Sequence, residues 1–298
     1  MSKSKIVRMI SDDGSLVIQA VDAGDIAEKA RLIHRSSKVC TAALGRLLAA
    51  ASMMGHALKG QNDSVTVRIN GGGPIGSLIA AADAVGNVRG YMTDAHIDVP
   101  NKPNGKLDVG GAVGSDGLLS VIRDLGLPEP QIGQVPLVSG EIAEDITSYY
   151  AISEQVPTVC ALGVLVNPDE TVAQAGGFLV QLLPTSDDTV IERVEADIRQ
   201  TKAVTAYLTD GLSPEEICRA VLPSFELQVL DEADVDYRCT CSRERVVRAL
   251  LSTGKDALKE MQQDPVTEVR CHFCPAVYTF TPQEIGRLLE EGEAKSAE

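Results

Sequence analysis

The chain has 298 residues, room for about two domains, and a formal net charge of -15. Hydrophobic residues make up 44%, aromatics only 3%, and Trp is absent, so a globular core must be built from Ala, Val, Leu and Ile. No apolar run reaches the roughly eighteen residues of a membrane-spanning helix, and the acidic balance argues against a nucleic-acid partner, whose phosphates are met by Lys and Arg.

The start, Met1-Ser2-Lys3-Ser4-Lys5-Ile6-Val7-Arg8, is basic but is followed by neither an apolar stretch nor a small-residue cleavage site. It does not read as a signal peptide, and a cytoplasmic location is expected. Residues 25–34 and 38–58 read as helices with Ala, Leu and Met on the buried side, and Gly60 supplies a stop. Residues 64–69 alternate like a strand, and Gly71-Gly72-Gly73-Pro74 is a turn. Strands are expected over 75–82 and 87–92 around a turn at 83–86. A helix is expected over 141–153, and paired strands over 156–166 and 171–182 around Asn167-Pro168-Asp169. Strand runs mixed with separate helices predict an α+β fold for residues 1–183 rather than a regular βαβ alternation.

From Ser186 the pattern turns helical. Residues 187–207 carry Val190, Ile191, Val194, Ile198 and Val204 at helical spacing. Ser213-Pro214-Glu215-Glu216 then starts a helix with a capping Ser, Pro at the first position and a capping box, and Pro223 ends it. The acidic run 231–236 reads as a solvated linker. Residues 184–236 are therefore expected to be a helical connector and linker. Residues 237–298 form a third, small unit. There Ser242 caps a helix bearing Val246, Val247, Leu250 and Leu251, residues 277–280 are a short strand, and Thr281-Pro282-Gln283-Glu284 is a second capping box before Ile285, Leu288 and Leu289. The tail after Gly292 is expected to fray.

Seven cysteines are present. Cys40, Cys160 and Cys218 stand alone in apolar or helical contexts and read as small buried hydrophobes. The other four form two tight pairs, Cys239-Thr240-Cys241 and Cys271-His272-Phe273-Cys274, separated by the 29 residues 242–270. Two close pairs joined by a loop place four sulfurs at the corners of a tetrahedron, which suits zinc. His272 reads as a bystander beside four thiolates. The segment is too small and too poor in large apolar residues to hold together alone, so metal and local fold should be coupled. Two readings stay open on spacing. The site is an inert staple, or its thiolates are oxidisable and their oxidation unfolds the unit.

The chain resembles the 33-kDa chaperonin family (heat-shock protein 33), redox-regulated holdase chaperones. The resemblance is carried by 239–245 and 271–274, by Gly73-Pro74-Ile75-Gly76, and by the stretches 81–91 and 137–145. Ser153-Glu154-Gln155 and Ala175-Gly176-Gly177-Phe178 extend it over most of the chain. Pro275 stands where the family often has Asn. The resemblance implies a zinc-bound, reduced, largely inactive monomer with Cys239, Cys241, Cys271 and Cys274 as ligands. It implies oxidation to disulfides Cys239–Cys241 and Cys271–Cys274, release of zinc, and exposure of apolar surface for unfolded client proteins and for homodimer formation. No enzymatic activity, nucleic-acid partner or membrane partner is implied.

Two alternatives are weaker. A zinc-ribbon nucleic-acid binder is disfavoured because residues 235–298 hold nine Lys/Arg against eleven Asp/Glu. An enzyme site in the mixed domain has no chemistry to name it. The glycines at 71–76 lack the Gly-Lys-Ser/Thr ending of a phosphate loop, and Pro74 removes a donor amide. His34, His56, His96 and His272 show no metal spacing among themselves, and His34 and His56 are expected to be satisfied or solvent-facing on helices.

Overall fold

Residues 5–22 form an antiparallel hairpin of β1 (Lys5–Ser11) and β2 (Leu16–Asp22) that the sequence reading did not assign. Its faces explain why. Ile6 and Val21 enter one apolar cluster while Val7, Met9, Ile18 and Ala20 enter another, so both faces are buried and the polar/apolar alternation that marks a strand is lost. The structure is a computed structural model that describes residues 3–294. By compactness the chain separates into the units Met1–Arg238 and Cys239–Glu298.

The first unit is α+β, with two five-stranded sheets whose ladders are all antiparallel among the described residues. The first has the order β10-β1-β2-β9-β8, with β8 (Thr158–Val166), β9 (Val172–Leu182) and β10 (Leu227–Asp234). The second has the order β5-β4-β3-β6-β7, from β3 (Ser64–Asn70), β4 (Ser77–Asp83), β5 (Val88–Met92), β6 (Leu118–Asp124) and β7 (Gln131–Pro136). After α1 (Gly24–His34), the helix α2 (Lys38–His56) packs against β2, β8 and β9 of one sheet and β3, β4 and β5 of the other. Every residue from Val39 to His56 except Arg46 is buried. A helix apolar all round is what such a position requires, so the expected single buried side becomes a buried circumference. Close approach rests on small residues. A Cβ on Gly55 would lie 2.5 Å from the Asp83 carbonyl oxygen, and one on Gly45 would lie 2.9 Å from Val164 Cγ2.

The glycine-rich turn is a packing device. Its amides are used within the protein, Gly73 N–H donating to the Val113 carbonyl at 2.9 Å and Ile75 N–H to that of Ala112 at 3.1 Å. A Cβ on Gly71 would meet the Gly114 carbonyl at 2.1 Å. The turn thus packs backbone to backbone against the end of α3 (Val109–Val113) and offers no phosphate cradle. His34 Nε2 lies 2.9 Å from the Gly90 carbonyl, and His56 bridges the Val85 carbonyl and Asp231 at 3.1 and 2.7 Å. Both are satisfied, as expected.

Three segments differ from expectation. The helix expected over 141–153 is α4 (Ala143–Tyr149) continued by a π-helical turn, Tyr150–Glu154. The helix expected over 187–207 is two, α5 (Asp188–Gln200) and α6 (Val204–Thr209). Thr201 turns extended between them, and Lys202 N–H donates to the Tyr207 hydroxyl at 3.2 Å instead of to a helical carbonyl. The acidic run 231–236, expected as a linker, supplies the end of β10. Its first carboxylate, Asp231, is bound by Arg8 of β1, and Lys3 lies 3.8 Å from Asp234, so cations on or beside β1 offset the charge that argued against a strand. With α7 (Pro214–Val221), whose capping box forms as expected, α5 and α6 cover the outer face of the first sheet. Val190, Val194, Tyr207, Ile217 and Val221 share one cluster there with Met9, Ile18 and Phe178. The connector is thus docked inside the first unit.

The turn between β1 and β2 gives an acid-dependent contribution. Asp13 is held at about 2 by the hydroxyls of Ser11 and Ser15 and the Ser15 amide. A depressed carboxyl stabilises above its unfolded pKa and loses that contribution as pH falls through the folded one. Asp13→Asn should therefore cost stability at neutral pH, with the gap to wild type closing between about pH 4 and pH 2 in denaturant titrations. A gap that stays constant with pH would rule the contribution out.

The second unit contains α8 (Arg243–Ser252), α9 (Lys255–Met261), a hairpin of β11 (Thr267–Arg270) and β12 (Val277–Phe280), and α10 (Pro282–Ala294). Helix α10 runs beyond Gly292, and residues 295–298 of the expected frayed tail lie outside the described residues. The buried core here is small, consisting of Leu250, Leu258, Phe280, Ile285 and Leu288. No helix among the described residues is long and apolar enough to cross a membrane.

Candidate metal centre

The hairpin positions the second cysteine pair. Arg270 and Val277 close the β11–β12 ladder, so 271–276 form the connecting turn, which is tied by Cys271 N–H donating to the Ala276 carbonyl at 3.0 Å. Pro275 sits inside this turn without opening it. The first pair lies just before α8, where Ser242 caps the helix by accepting from Arg245 N–H at 3.3 Å. Arg245 in turn donates to the Thr240 hydroxyl at 2.7 Å, fixing the residue between Cys239 and Cys241. Arg243 joins the two halves. Its guanidinium donates to the Thr279 carbonyl at 3.0 Å, pairs with Glu284 at 2.7 Å, and lies 4.2 Å from the centre of the Phe280 ring.

These contacts bring Cys239, Cys241, Cys271 and Cys274 together, with all four sulfurs within 4.8 Å of one another. Cys239 Sγ lies 3.6 Å from Cys271 Sγ, and Cys241 Sγ lies 3.4 Å from Cys274 Sγ. Both distances exceed a disulfide bond of about 2.05 Å. They approach the edge of about 3.8 Å for a tetrahedron with metal–sulfur bonds near 2.3 Å. His272 is not part of the group.

The proton affinities show what the cluster lacks as a set of bare thiols. Burial works to raise Cys241, but the Tyr278 hydroxyl at 3.2 Å and the neighbouring thiols bring it down to about 7. Burial pushes Cys239 and Cys274 up. As bare thiols, Cys241 is favoured over Cys239 and Cys274 to carry negative charge. A bound dication reverses this, because a coordinating thiol is deprotonated outright. Four sulfurs with no competing carboxylate, at near-tetrahedral spacing, fit a structural zinc ion or another thiophilic metal.

The remaining cysteines are placed differently. Cys40 and Cys218 are buried and Cys160 is half-buried. Burial raises all three thiols, Cys160 to about 12, which leaves little reactive thiolate. Tyr278 and Arg243 are the site residues that sequence reasoning missed as such. Arg243 stood inside a family-like stretch, but no spacing rule points from Cys274 to a tyrosine four residues on.

Comparison with known proteins is consistent along the whole chain. A family model described as Hsp33 protein matches residues 4–281. A 33 kDa chaperonin of Clostridioides difficile (strain 630) is 45% identical over 287 residues, covering 96% of this chain and 98% of that protein. One of Lachnoclostridium phytofermentans is 47% identical over 286 residues, covering 95% and 97%. The crystal structure of the 33 kDa chaperonin (heat shock protein 33 homolog) of Thermotoga maritima superposes with a TM-score of 0.88 at 34% identity, covering 98% of this chain and all of that one.

Proposed function

Because the chain belongs to the Hsp33 family of 33 kDa chaperonins, we propose that it is a holdase chaperone whose client binding is switched on by oxidation of Cys239, Cys241, Cys271 and Cys274. The observation that carries this reading is the convergence of four sulfurs in a unit with a small core of five buried apolar side chains among the described residues. A core of that size rarely supplies more than about 3–5 kcal/mol. Zinc held by the four thiolates would supply on the order of 10–16 kcal/mol of apparent folding free energy.

The pairing of the oxidised cysteines decides the outcome. In each disulfide two thiols lose two electrons and two protons to a peroxide, which is reduced to two waters. Bonds within pairs, Cys239 to Cys241 and Cys271 to Cys274, close rings of a few residues and tether nothing across the unit. Bonds across pairs, between the sulfurs now 3.6 and 3.4 Å apart, would close loops of about 33 residues and hold the unit together as the metal does. Unfolding therefore requires the pairing within each motif. It removes all four ligands and leaves Leu250, Leu258, Phe280, Ile285 and Leu288 without their main support. In this reading α5 to α7, which precede the second unit in the chain, are then released from the first sheet as a locally unfolding segment, and the exposed apolar surface binds non-native clients and a second oxidised copy without sequence preference. Such a protein acts in the cytoplasm and performs no chemistry on its client.

The test is direct. Reduced, zinc-loaded protein treated with hydrogen peroxide at elevated temperature should release zinc, show disulfides within the pairs by mass spectrometry, and suppress light scattering by an unfolding client. Zinc release without suppression, or disulfides across the pairs in a folded second unit, would overturn the switch.

A further inference from the structure

Cys271 accepts a hydrogen bond from the backbone amide two residues on, Phe273 N–H at 3.4 Å. Cys241 stands differently. The residue two beyond it, Arg243, opens α8, and the donor facing its sulfur is the Tyr278 hydroxyl at 3.2 Å. Tyr278 lies on β12 opposite Val269, with its ring against the small apolar core. It belongs to the hairpin that carries Cys271 and Cys274, yet it holds a sulfur of the other pair.

We infer that Tyr278 is a positioning residue of the metal centre, in which its hydroxyl restrains Cys241, tightens metal binding and slows oxidation of that sulfur. The inference rests on the proposed zinc-dependent switch and deepens it. A hydroxyl donating to a thiolate draws charge from the sulfur and lowers its nucleophilicity towards peroxide. It also orients the ligand before the metal arrives, and losing such an outer partner typically weakens metal binding about 10–100-fold. Because Tyr278 donates through its side chain, a substitution there can change this property without altering the turns.

Tyr278→Phe keeps the ring and removes the hydroxyl. Compared with wild type, zinc affinity measured by chelator competition should fall about tenfold or more. Peroxide should modify Cys241 faster relative to Cys271 and Cys274 in the same molecule, as read by differential alkylation and mass spectrometry. In cobalt(II)-loaded full-length protein the sulfur-to-metal charge-transfer band should move to lower energy, because the undamped sulfur gives up charge more readily. Val269→Ala loosens the same strand pair but keeps the hydroxyl, and should leave the band in place. Unchanged affinity, oxidation order and band position in Tyr278→Phe would overturn the inference alone, as would an equal band shift in Val269→Ala. A wild-type chain that takes up neither zinc nor cobalt would overturn both the inference and the reading it rests on.

Discussion

Replacing Cys271 or Cys274 with alanine should unfold residues 239–294 and leave the two sheets and α2 of the first unit folded. The two units are compact by themselves, and each has its own apolar clusters. The second has five buried apolar side chains among the described residues, so a bound metal's contribution on the order of 10 kcal/mol would exceed anything its packing can replace. With one thiolate lost, a metal would keep three protein ligands instead of the four of a closed structural site, and its hold on the unit would weaken. Hydrogen exchange by mass spectrometry should show full loss of protection in α8, β11, β12 and α10, with protection in α2 and β9 unchanged. The zinc content should fall towards zero. If unfolding of the second unit is the trigger, these variants should also bind clients without peroxide. Retained protection in the hairpin would show that the sulfurs are dispensable to the fold and would sink the switch.

The second large effect lies far from the cysteines in sequence. Asp145, fully buried on α4, accepts four backbone N–H groups: Val138 at 2.7 Å, Ser139 at 3.1 Å, Gly140 at 3.4 Å and Ile142 at 2.9 Å. It holds a turn in which Ile142 adopts φ +73° and Gly140 φ +71°. The second angle needs glycine, and a Cβ there would also lie 2.4 Å from the Gly114 carbonyl oxygen. Asp145→Ala leaves several buried donors unpaired at about 1–3 kcal/mol each. Allowing for relaxation and water entry, a loss of about 3–5 kcal/mol of first-unit stability is expected. Asp145→Asn keeps one acceptor oxygen and turns its amide against an N–H, so it should fall between. Urea unfolding followed by circular dichroism measures both, and a loss under about 1 kcal/mol for the alanine variant would refute the assignment.

Both sites were visible in the sequence to different degrees. The stretch 137–145 was marked by resemblance, but nothing in it announced that its last carboxylate would be the acceptor for four amides. The cysteine pairs were marked by chemistry. Tight pairs flanked by Ser242 and Thr281 caps hold a local geometry that spacing alone expresses, and both caps form where expected, Thr281 accepting from Glu284 N–H at 3.3 Å. Capping boxes, turn glycines and metal-ligand spacings depend on residues a few positions apart, so the sequence by itself determined the caps, the turns, the cysteine set and the α+β class.

What only the tertiary structure decided depends on partners distant in the chain. β1 and β2 escaped notice because helices α5 to α7 cover one face of their sheet and α2 the other, which erases alternation. The acidic end of β10 became a strand because Arg8, 223 positions away, binds Asp231. The hydroxyl of Tyr278 reaches Cys241 across a hairpin and a helix start that Arg243 also joins, residues 37 positions apart in the chain. Packing across such separations costs chain entropy that the local pattern does not encode, so a short window of sequence cannot display it.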